Sequence, residues 1–387
     1  MNPVSPIPAI ALLLVALATC SLLVKKFGAS PDQGRFTAID GLRGYLAFFV
    51  FLHHSCIWYF YLQTDQWKAP PSNLYTHFGE SSVLLFFMIT GLLFFSKLID
   101  GRTKRIDWGR LFVSRFLRLV PLYMFLMCLL FLVIAHLSNG TLNEPILKTM
   151  MAMLQWLGFT IFGNPDLNGI EHTSRIISGV TWSLPYEWFF YFSLPILALT
   201  VRTRPPLSYI IIGVISAAGL ASQLNHMIIA VFFSGIAASL LARLDSVCQF
   251  ASRSSSSFIT IGCIAVAIIL YPSAHSVVPC ILLSVAFVLI ASGNSLFGVL
   301  VSPVSRTLGQ YAYGIYLLHG ITLFATFTFV LGIPESKALS TTTYWLVVTG
   351  ITPILIFTCF LTFRYIEHPA MQSTTAVTAW LRSRLTT

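Results

Sequence analysis

Charge is what this sequence has least of. Only 9% of its 387 residues are Asp, Glu, Lys or Arg, against roughly 25% in an ordinary soluble domain. A soluble fold needs a charged skin over its core, and this chain has too little to make one. With 56% of its residues hydrophobic, the bilayer is its natural solvent. The seven cysteines, Cys20, Cys56, Cys128, Cys248, Cys263, Cys280 and Cys359, include no CxxC pair and lie mostly inside apolar runs. That excludes a disulfide framework and a zinc site, and no metal is expected. No stretch has the size of a soluble domain. The longest one outside the main apolar runs, 138–180, itself contains a short apolar segment. There is no clear internal repeat, and the only low-complexity block is Ser254–Ser257.

What is present is a series of apolar runs long enough to cross a hydrocarbon core of ~30 Å. They fall near 6–24, 42–62, 81–99, 117–137, 181–200, 208–222, 227–242, 257–271, 278–297, 308–330 and 344–363. The fold class is therefore all-α, a polytopic transmembrane bundle of about eleven spans. The stretch 146–163 is apolar but short and carries Gln155, so it reads as interfacial or re-entrant. The first run follows a start free of positive charge, and Lys25 and Lys26 come after it. A signal peptide carries its charge first, so this run is expected to be a retained helix with the N-terminus outside.

Net charge is +10, from 23 Lys and Arg against 13 Asp and Glu. In a soluble protein that excess would suggest nucleic acid. Here topology accounts for it, and no nucleic-acid partner is expected. With Lys25 and Lys26 on the cytoplasmic side and sides alternating at each span, 19 positive residues, Arg35 among them, fall inside and four outside. So lopsided a distribution is the positive-inside signature and places the C-terminus in the cytoplasm.

Ionisable groups within spans cost ~2.5–3.5 kcal/mol each on insertion scales, which makes them functional candidates. Arg43 and His54 share one predicted helix. Eleven residues are close to three turns, so the two side chains leave one face about 16 Å apart along the axis. His53 points about 100° away from His54. One face thus offers a cation at the membrane edge and an imidazole near mid-membrane. Away from water the neutral imidazole is favoured, the form that serves as a general base; the bland alternative is a histidine that bonds a neighbouring helix. In Trp182-Ser183-Leu184-Pro185-Tyr186-Glu187, Glu187 is expected about two turns inside its helix, with Pro185 loosening the backbone. Glu187 could orient a histidine, bind a sugar hydroxyl or pair with an arginine. Between the third and fourth spans lie Lys97, Arg102, Lys104, Arg105, Arg110, Arg115 and Arg118. Seven cations exceed what topology requires and suit a polyanion such as a CoA phosphate or a lipid headgroup. Arg115 and Arg118 share a helix face. Tyr316 and His319 add a further intramembrane tyrosine and histidine.

Taken in order, these segments resemble the acyltransferase-3 family of bacterial membrane acyltransferases. The resemblance rests on Asp40-Gly41-Leu42-Arg43-Gly44 with His54, and on Val83–Gly91. It continues in Arg115-Phe116-Leu117-Arg118-Leu119-Val120-Pro121-Leu122-Tyr123 and in Trp182-Ser183-Leu184 with Glu187, Phe190 and Tyr191. It ends in Tyr316-Leu317-Leu318-His319 and Phe363–Pro369. There are departures. Thr90 stands where the family usually has Ser, Ser82 where Gly is frequent, and Ser114 where an Arg-Arg pair begins. Pro185 is unusual in its motif. The helix at 6–24 precedes the family's typical ten-helix core, so the expected division is an N-terminal helix and linker over 1–34, a ten-helix acyltransferase domain over 35–370 and a cytoplasmic tail over 371–387. The resemblance implies transfer of an acyl group, commonly acetyl, from cytoplasmic acyl-CoA to a hydroxyl of an envelope carbohydrate at the bacterial inner membrane. His54, Glu187 and Arg43 are then expected as catalytic residues. Arg43, Arg115, Arg118 and Tyr123 are expected at the acetyl-CoA donor, and Trp182, Ser183, Tyr316 and His319 at the acceptor. Acyl-CoA, the carbohydrate and membrane lipids are the expected partners. The alternative from another class is a secondary transporter or exporter of a lipid-linked sugar, for which the span count and buried polar groups speak.

Overall fold

The computed structural model describes residues 2–29 and 36–385. Arg35 and the expected boundary at 34–35 lie outside the described residues. Among those residues the chain is helical and has no strand, only an isolated bridge between Leu167 and Ile170. In chain order the helices are α1 (Pro6–Phe27), α2 (Thr37–Thr64), α3 (Asn73–Asp100), α4 (Trp108–Leu137), α5 (Ile146–Leu157), α6 (Leu184–Thr200), α7 (Leu207–Ala221), α8 (His226–Leu241) and α9 (Asp245–Ala251). They continue with α10 (Ser254–Leu270), α11 (Val277–Ala291), α12 (Pro303–Gln310), α13 (Ala312–Ala325), α14 (Ile333–Lys337), α15 (Thr341–Thr362), α16 (His368–Gln372) and α17 (Thr374–Leu385). Two π-turns, Thr326–Val330 and Phe363–Glu367, extend α13 and α15.

Every one of the eleven apolar runs falls on helix, yet they are not equal. Among the described residues six helical segments are long and apolar enough to cross a membrane, or seven if α8 and α9, bent by 103°, form one broken span. These segments fit a multi-pass membrane protein. Helices α7, α10 and α11 have 15, 17 and 15 residues, or about 22–26 Å of rise. That is short of a ~30 Å core, so length alone does not make them crossings, and a count of eleven is not established. The run 278–297 stops as helix at Ala291, ahead of Gly293 at φ +121°. The run 308–330 is divided between α12 and α13 at Tyr311. The segment 146–163 yields the 12-residue α5, which buries Thr149, Ala152 and Trp156 and exposes Ile146, Leu147, Met150, Met151 and Leu154.

The chain divides into two compact units. One comprises Met1–Ser96 with Asn225–Phe357, the other Lys97–Leu224 with Thr358–Thr387.

The first unit is built on close backbone approach, the packing that small residues permit where lipid supplies no hydrophobic drive. A Cβ at Gly41 would overlap the Leu300 carbonyl oxygen, and one at Gly309 the Asp40 carbonyl oxygen. A Cβ at Gly44 would stand 2.5 Å from the Gly309 nitrogen. The glycines of the Asp40–Gly44 motif therefore seat α2 against α12 and the turn before it. Gly91 and Gly235 form a reciprocal pair between α3 and α8, each facing backbone of the other helix. Phe48, Phe51, Phe87, Phe287, Phe327 and Tyr344 fill the interior.

In the second unit α4 carries Pro121 and is capped at its start by Asp107, whose side chain accepts from the Arg110 N–H at 3.0 Å. Gly213 lets α7 approach the Phe192 carbonyl of α6. Tyr123 is buried and stacks on Phe159 at 4.2 Å between centroids.

Candidate active site

Helix α2 runs unbroken from Thr37 to Thr64, so Arg43 and His54 are carried on one rigid rod with the expected rise. Both are part-buried. The helix uses its two adjacent histidines on different faces. His53 Nδ1 lies 2.7 Å from the Tyr75 carbonyl of α3, and only a donor suits a carbonyl, so that nitrogen carries the proton. Its ring lies flat on α3 because residue 79 is glycine; a Cβ there would sit 2.5 Å from the ring.

His54 turns instead to α13. Its Nδ1 is 3.0 Å from His319 Nε2 and 3.1 Å from the Val50 carbonyl. His319 is fully buried, and its Nδ1 is 2.9 Å from the Ile315 carbonyl. With both rings neutral, these acceptors fix the tautomers. His319 must donate from Nδ1 to Ile315, which leaves a lone pair on its Nε2. His54 must then donate from Nδ1, which leaves the lone pair on His54 Nε2. Of the four ring nitrogens in the pair, this one alone has no hydrogen-bond partner among the described residues. The chain of bonds ends in a proton acceptor.

Aromatic residues surround this pair. Trp67, in the loop after α2, stacks over His54 at 6.5 Å and 24°, and Trp58 and Tyr61 meet Trp67 edge-on, each at 5.6 Å. The loop is entered at Asp65 in the left-handed region, φ +56°, and Lys337 Nζ holds the Asp65 carboxylate at 2.7 Å. Tyr316 is buried one turn before His319, edge-on at 6.4 Å. Near the start of α3, Glu80 accepts from Ser273 Oγ at 2.6 Å and the Ala274 N–H at 2.8 Å. His275 Nδ1 stands 3.9 Å from the same carboxylate.

The other expected site residues lie in the second unit. Arg115 hydrogen-bonds the Tyr191 side chain and lies close to Glu187. Tyr191 donates to Glu187 Oε2 at 3.2 Å. Arginine, phenol and carboxylate thus form one polar cluster between α4 and α6. Glu187 stands in the first turn of α6, not two turns in, because the helix begins only at Leu184. Pro185 is at the start of that helix, where no N–H is required, so it favours the helix and does not loosen it. Arg118 faces Glu367 at 3.9 Å and donates to Met371 Sδ at 3.1 Å; Glu367 is fully buried. The Tyr123 hydroxyl donates to the Trp156 carbonyl.

Trp182 and Ser183 end a strained segment. His172 and Ser178 hold φ of +56° and +54°, unusual for residues with a side chain. Trp182 is 40% exposed and meets Tyr186 edge-on at 5.8 Å, whereas Ser183 is buried and bonds the Val180 carbonyl at 3.4 Å. Just before them the buried Thr181 hydroxyl has no hydrogen-bond partner among the described residues.

Four features escape the sequence pattern: Trp67, Glu80, the pairing of His54 with His319, and the Arg115–Tyr191–Glu187 cluster. Glu80 sits one residue outside an apolar run, a signal that was available. Trp67 had none.

The described residues thus form an all-helical bundle with apolar segments fit to cross a membrane. The acyltransferase domain family matches residues 36–364, and the chain belongs to that family, acyltransferase-3. Membership favours transfer chemistry over the transporter alternative. No curated protein and no solved structure matches the chain.

Proposed function

We propose that this membrane acyltransferase moves an acyl group, acetyl in the first instance, from cytoplasmic acyl-CoA to a hydroxyl of an envelope carbohydrate. The observation that carries the proposal is the His319–His54 relay, which leaves His54 Nε2 as a proton acceptor with no partner among the described residues. In the proposed reaction His54 Nε2 takes the proton of the acceptor hydroxyl as that oxygen attacks the thioester carbonyl carbon. The C–S bond breaks as the ester C–O bond forms, and the imidazolium returns its proton to the departing CoA thiolate. General base catalysis of this kind contributes about 10²–10⁴-fold. His319 is a positioning residue that selects the reactive tautomer.

Arg43, at the start of α2, and Arg115 and Arg118, in α4, are the donor-binding candidates. Guanidinium groups suit the CoA phosphates. Arg115 is committed to Tyr191, so its role in donor binding would be shared with holding Glu187. Arg118 stands near Glu367, and its part in donor binding would come beside that ion pair. The aromatic faces of Trp67 and Tyr61 support a carbohydrate acceptor, because sugar C–H faces pack on such rings. Trp182, with the unsatisfied Thr181 hydroxyl beside it, is a second acceptor candidate. The charge asymmetry of the sequence supports placement in the inner membrane with the N-terminus outside and the C-terminus in the cytoplasm.

Purified protein given acetyl-labelled CoA and an envelope glycan extract should release CoA and label the glycan. Mass spectrometry of glycans from cells with and without the protein should find the added mass only in its presence. Glycans of identical mass in both cell lines would remove the carbohydrate from the proposal.

A further inference from the structure

The second unit holds a feature that the acyl-transfer chemistry leaves unused. A cavity of about 860 Å³ opens where the start of α4, the turn before α7 and the C-terminal helix α17 meet. Its size falls within the range of sites for small molecules and cofactors. Its walls combine two chemistries. Arg102, Arg105, Arg202 and Arg204 line it, and among the described residues none of their guanidinium groups has a carboxylate or hydrogen-bond partner. A fifth arginine, Arg382, is held by Asp107, the one acidic residue in the lining. Three aromatic residues, Trp108, Phe112 and Tyr209, contribute to the rest of the wall. Phe112 and Tyr209 stack at 5.7 Å and 15°, and Trp108 lies 6.3 Å from Tyr209 at 36°.

A topological anchor needs positive charge, but it needs neither a cavity nor an aromatic wall. Membrane anchoring would also be served by lysine, which offers only a point charge. Arginine offers a fork matched to phosphate and a plane that stacks on rings. Five arginines against one carboxylate leave the cavity about four charges positive. A 3′-phosphorylated adenosine diphosphate ester carries roughly four negative charges at neutral pH, up to two of them on the terminal phosphate. Its adenine supplies the flat face that the aromatic wall would accept.

The cavity also has a continuation. A neighbouring one of about 630 Å³ shares Gly101, Arg105, Ile106 and Asp107 with it and adds Lys97, Lys104, Arg110 and Ser114. Ser114 is next in sequence to Arg115, whose guanidinium bonds its hydroxyl at 3.3 Å. A basic path therefore runs from the arginine cavity to the Arg115–Tyr191–Glu187 cluster, along one helix and within one unit.

We infer that this cavity, lined by Arg102, Arg105, Arg202, Arg204, Trp108 and Tyr209, binds the 3′-phosphoadenosine diphosphate end of the acyl donor. The inference rests on the proposed acyl-CoA donor and places its nucleotide at the mouth of the basic path. Gly109 supplies a clean way to close the cavity. A Cβ there would meet Asp107, Tyr209 and Arg382 at 3.7–4.0 Å, ordinary contact distances, so a longer side chain would enter the cavity without pressing on backbone.

The test is equilibrium binding of CoA, dephospho-CoA and adenosine 3′,5′-bisphosphate to the full chain in nanodiscs, made with and without anionic lipid. The wild-type protein should bind the bisphosphate, prefer CoA to dephospho-CoA and lose affinity as salt rises. Arg202→Ala and Arg204→Ala should each weaken CoA about tenfold, the scale of one charge-assisted bond. Gly109→Leu should abolish nucleotide binding with all charges in place. His54→Ala should bind as the wild type does. CoA binding unchanged by Arg202→Ala, Arg204→Ala and Gly109→Leu would overturn the cavity assignment and leave the donor reading standing. No binding of CoA or bisphosphate to folded wild-type protein would overturn both. Variants that alter only the effect of anionic lipid would assign the cavity to headgroups and overturn the inference.

Discussion

Replacing His319 separates a positioning role from a catalytic one. In the His319→Ala variant, His54 Nδ1–H loses the acceptor at 3.0 Å but keeps the Val50 carbonyl at 3.1 Å. The reactive tautomer is therefore weakened, not abolished. One neutral hydrogen bond is worth about 1 kcal/mol, or roughly fivefold in rate. The void left by the ring adds freedom to His54, so kcat should fall about tenfold in all. His54→Ala removes the base itself and should cost about 10²–10⁴-fold. The double variant should then be no worse than His54→Ala alone, because the second residue acts only through the first. His319→Gln, whose amide oxygen can accept from Nδ1–H, should recover part of the loss. The assay is initial-rate release of CoA from acetyl-CoA by purified protein, with protein level and melting temperature followed in parallel. Full activity in His319→Ala, or a loss as deep as that of His54→Ala in an intact fold, would refute the relay.

Three further outcomes follow from the packing and the charges. Gly235→Val should destabilise the bundle by at least the 1–3 kcal/mol typical of overpacking, since its side chain would press on the Met88 carbonyl; the melting temperature in detergent checks it. Gly79→Ala should displace the His53 ring and loosen its bond to Tyr75, which hydrogen exchange at the start of α3 would register. The Arg110 N–H that it caps, aided by Arg382, holds the Asp107 carboxyl below the usual carboxylate range. Such a group adds stability that is present above the ordinary carboxyl value and disappears as pH falls through the lowered one. Asp107→Asn should therefore melt lower than wild type at neutral pH, and the two should converge in strong acid.

Much of the fold was legible because hydropathy is a local property. Each apolar run became helix, and the eleven-residue spacing of Arg43 and His54 survived because α2 has no break. The number of crossings was less legible. Where Gly293 or Tyr311 interrupts a run, composition continues although the helix does not. Glu187 stands nearer the helix start than its run suggests for the same reason, since the run continues through Thr181–Ser183 while the backbone there forms a 3₁₀ turn. Two of the site's central features were not readable at all. His54 and His319 are 265 residues apart, and Trp67 lies in a polar loop where nothing local marks it for the site. Such contacts depend on how helices pack, which the glycines of α2, α3, α8 and α12 decide.

The most direct test of the account is a single-turnover reaction of purified protein in nanodiscs with acyl-labelled CoA and acceptor glycan, comparing wild type with His54→Ala at equal nucleotide occupancy. The account predicts labelled glycan from the wild type and at least a hundredfold slower labelling from the variant. Equal labelling by both proteins would contradict it.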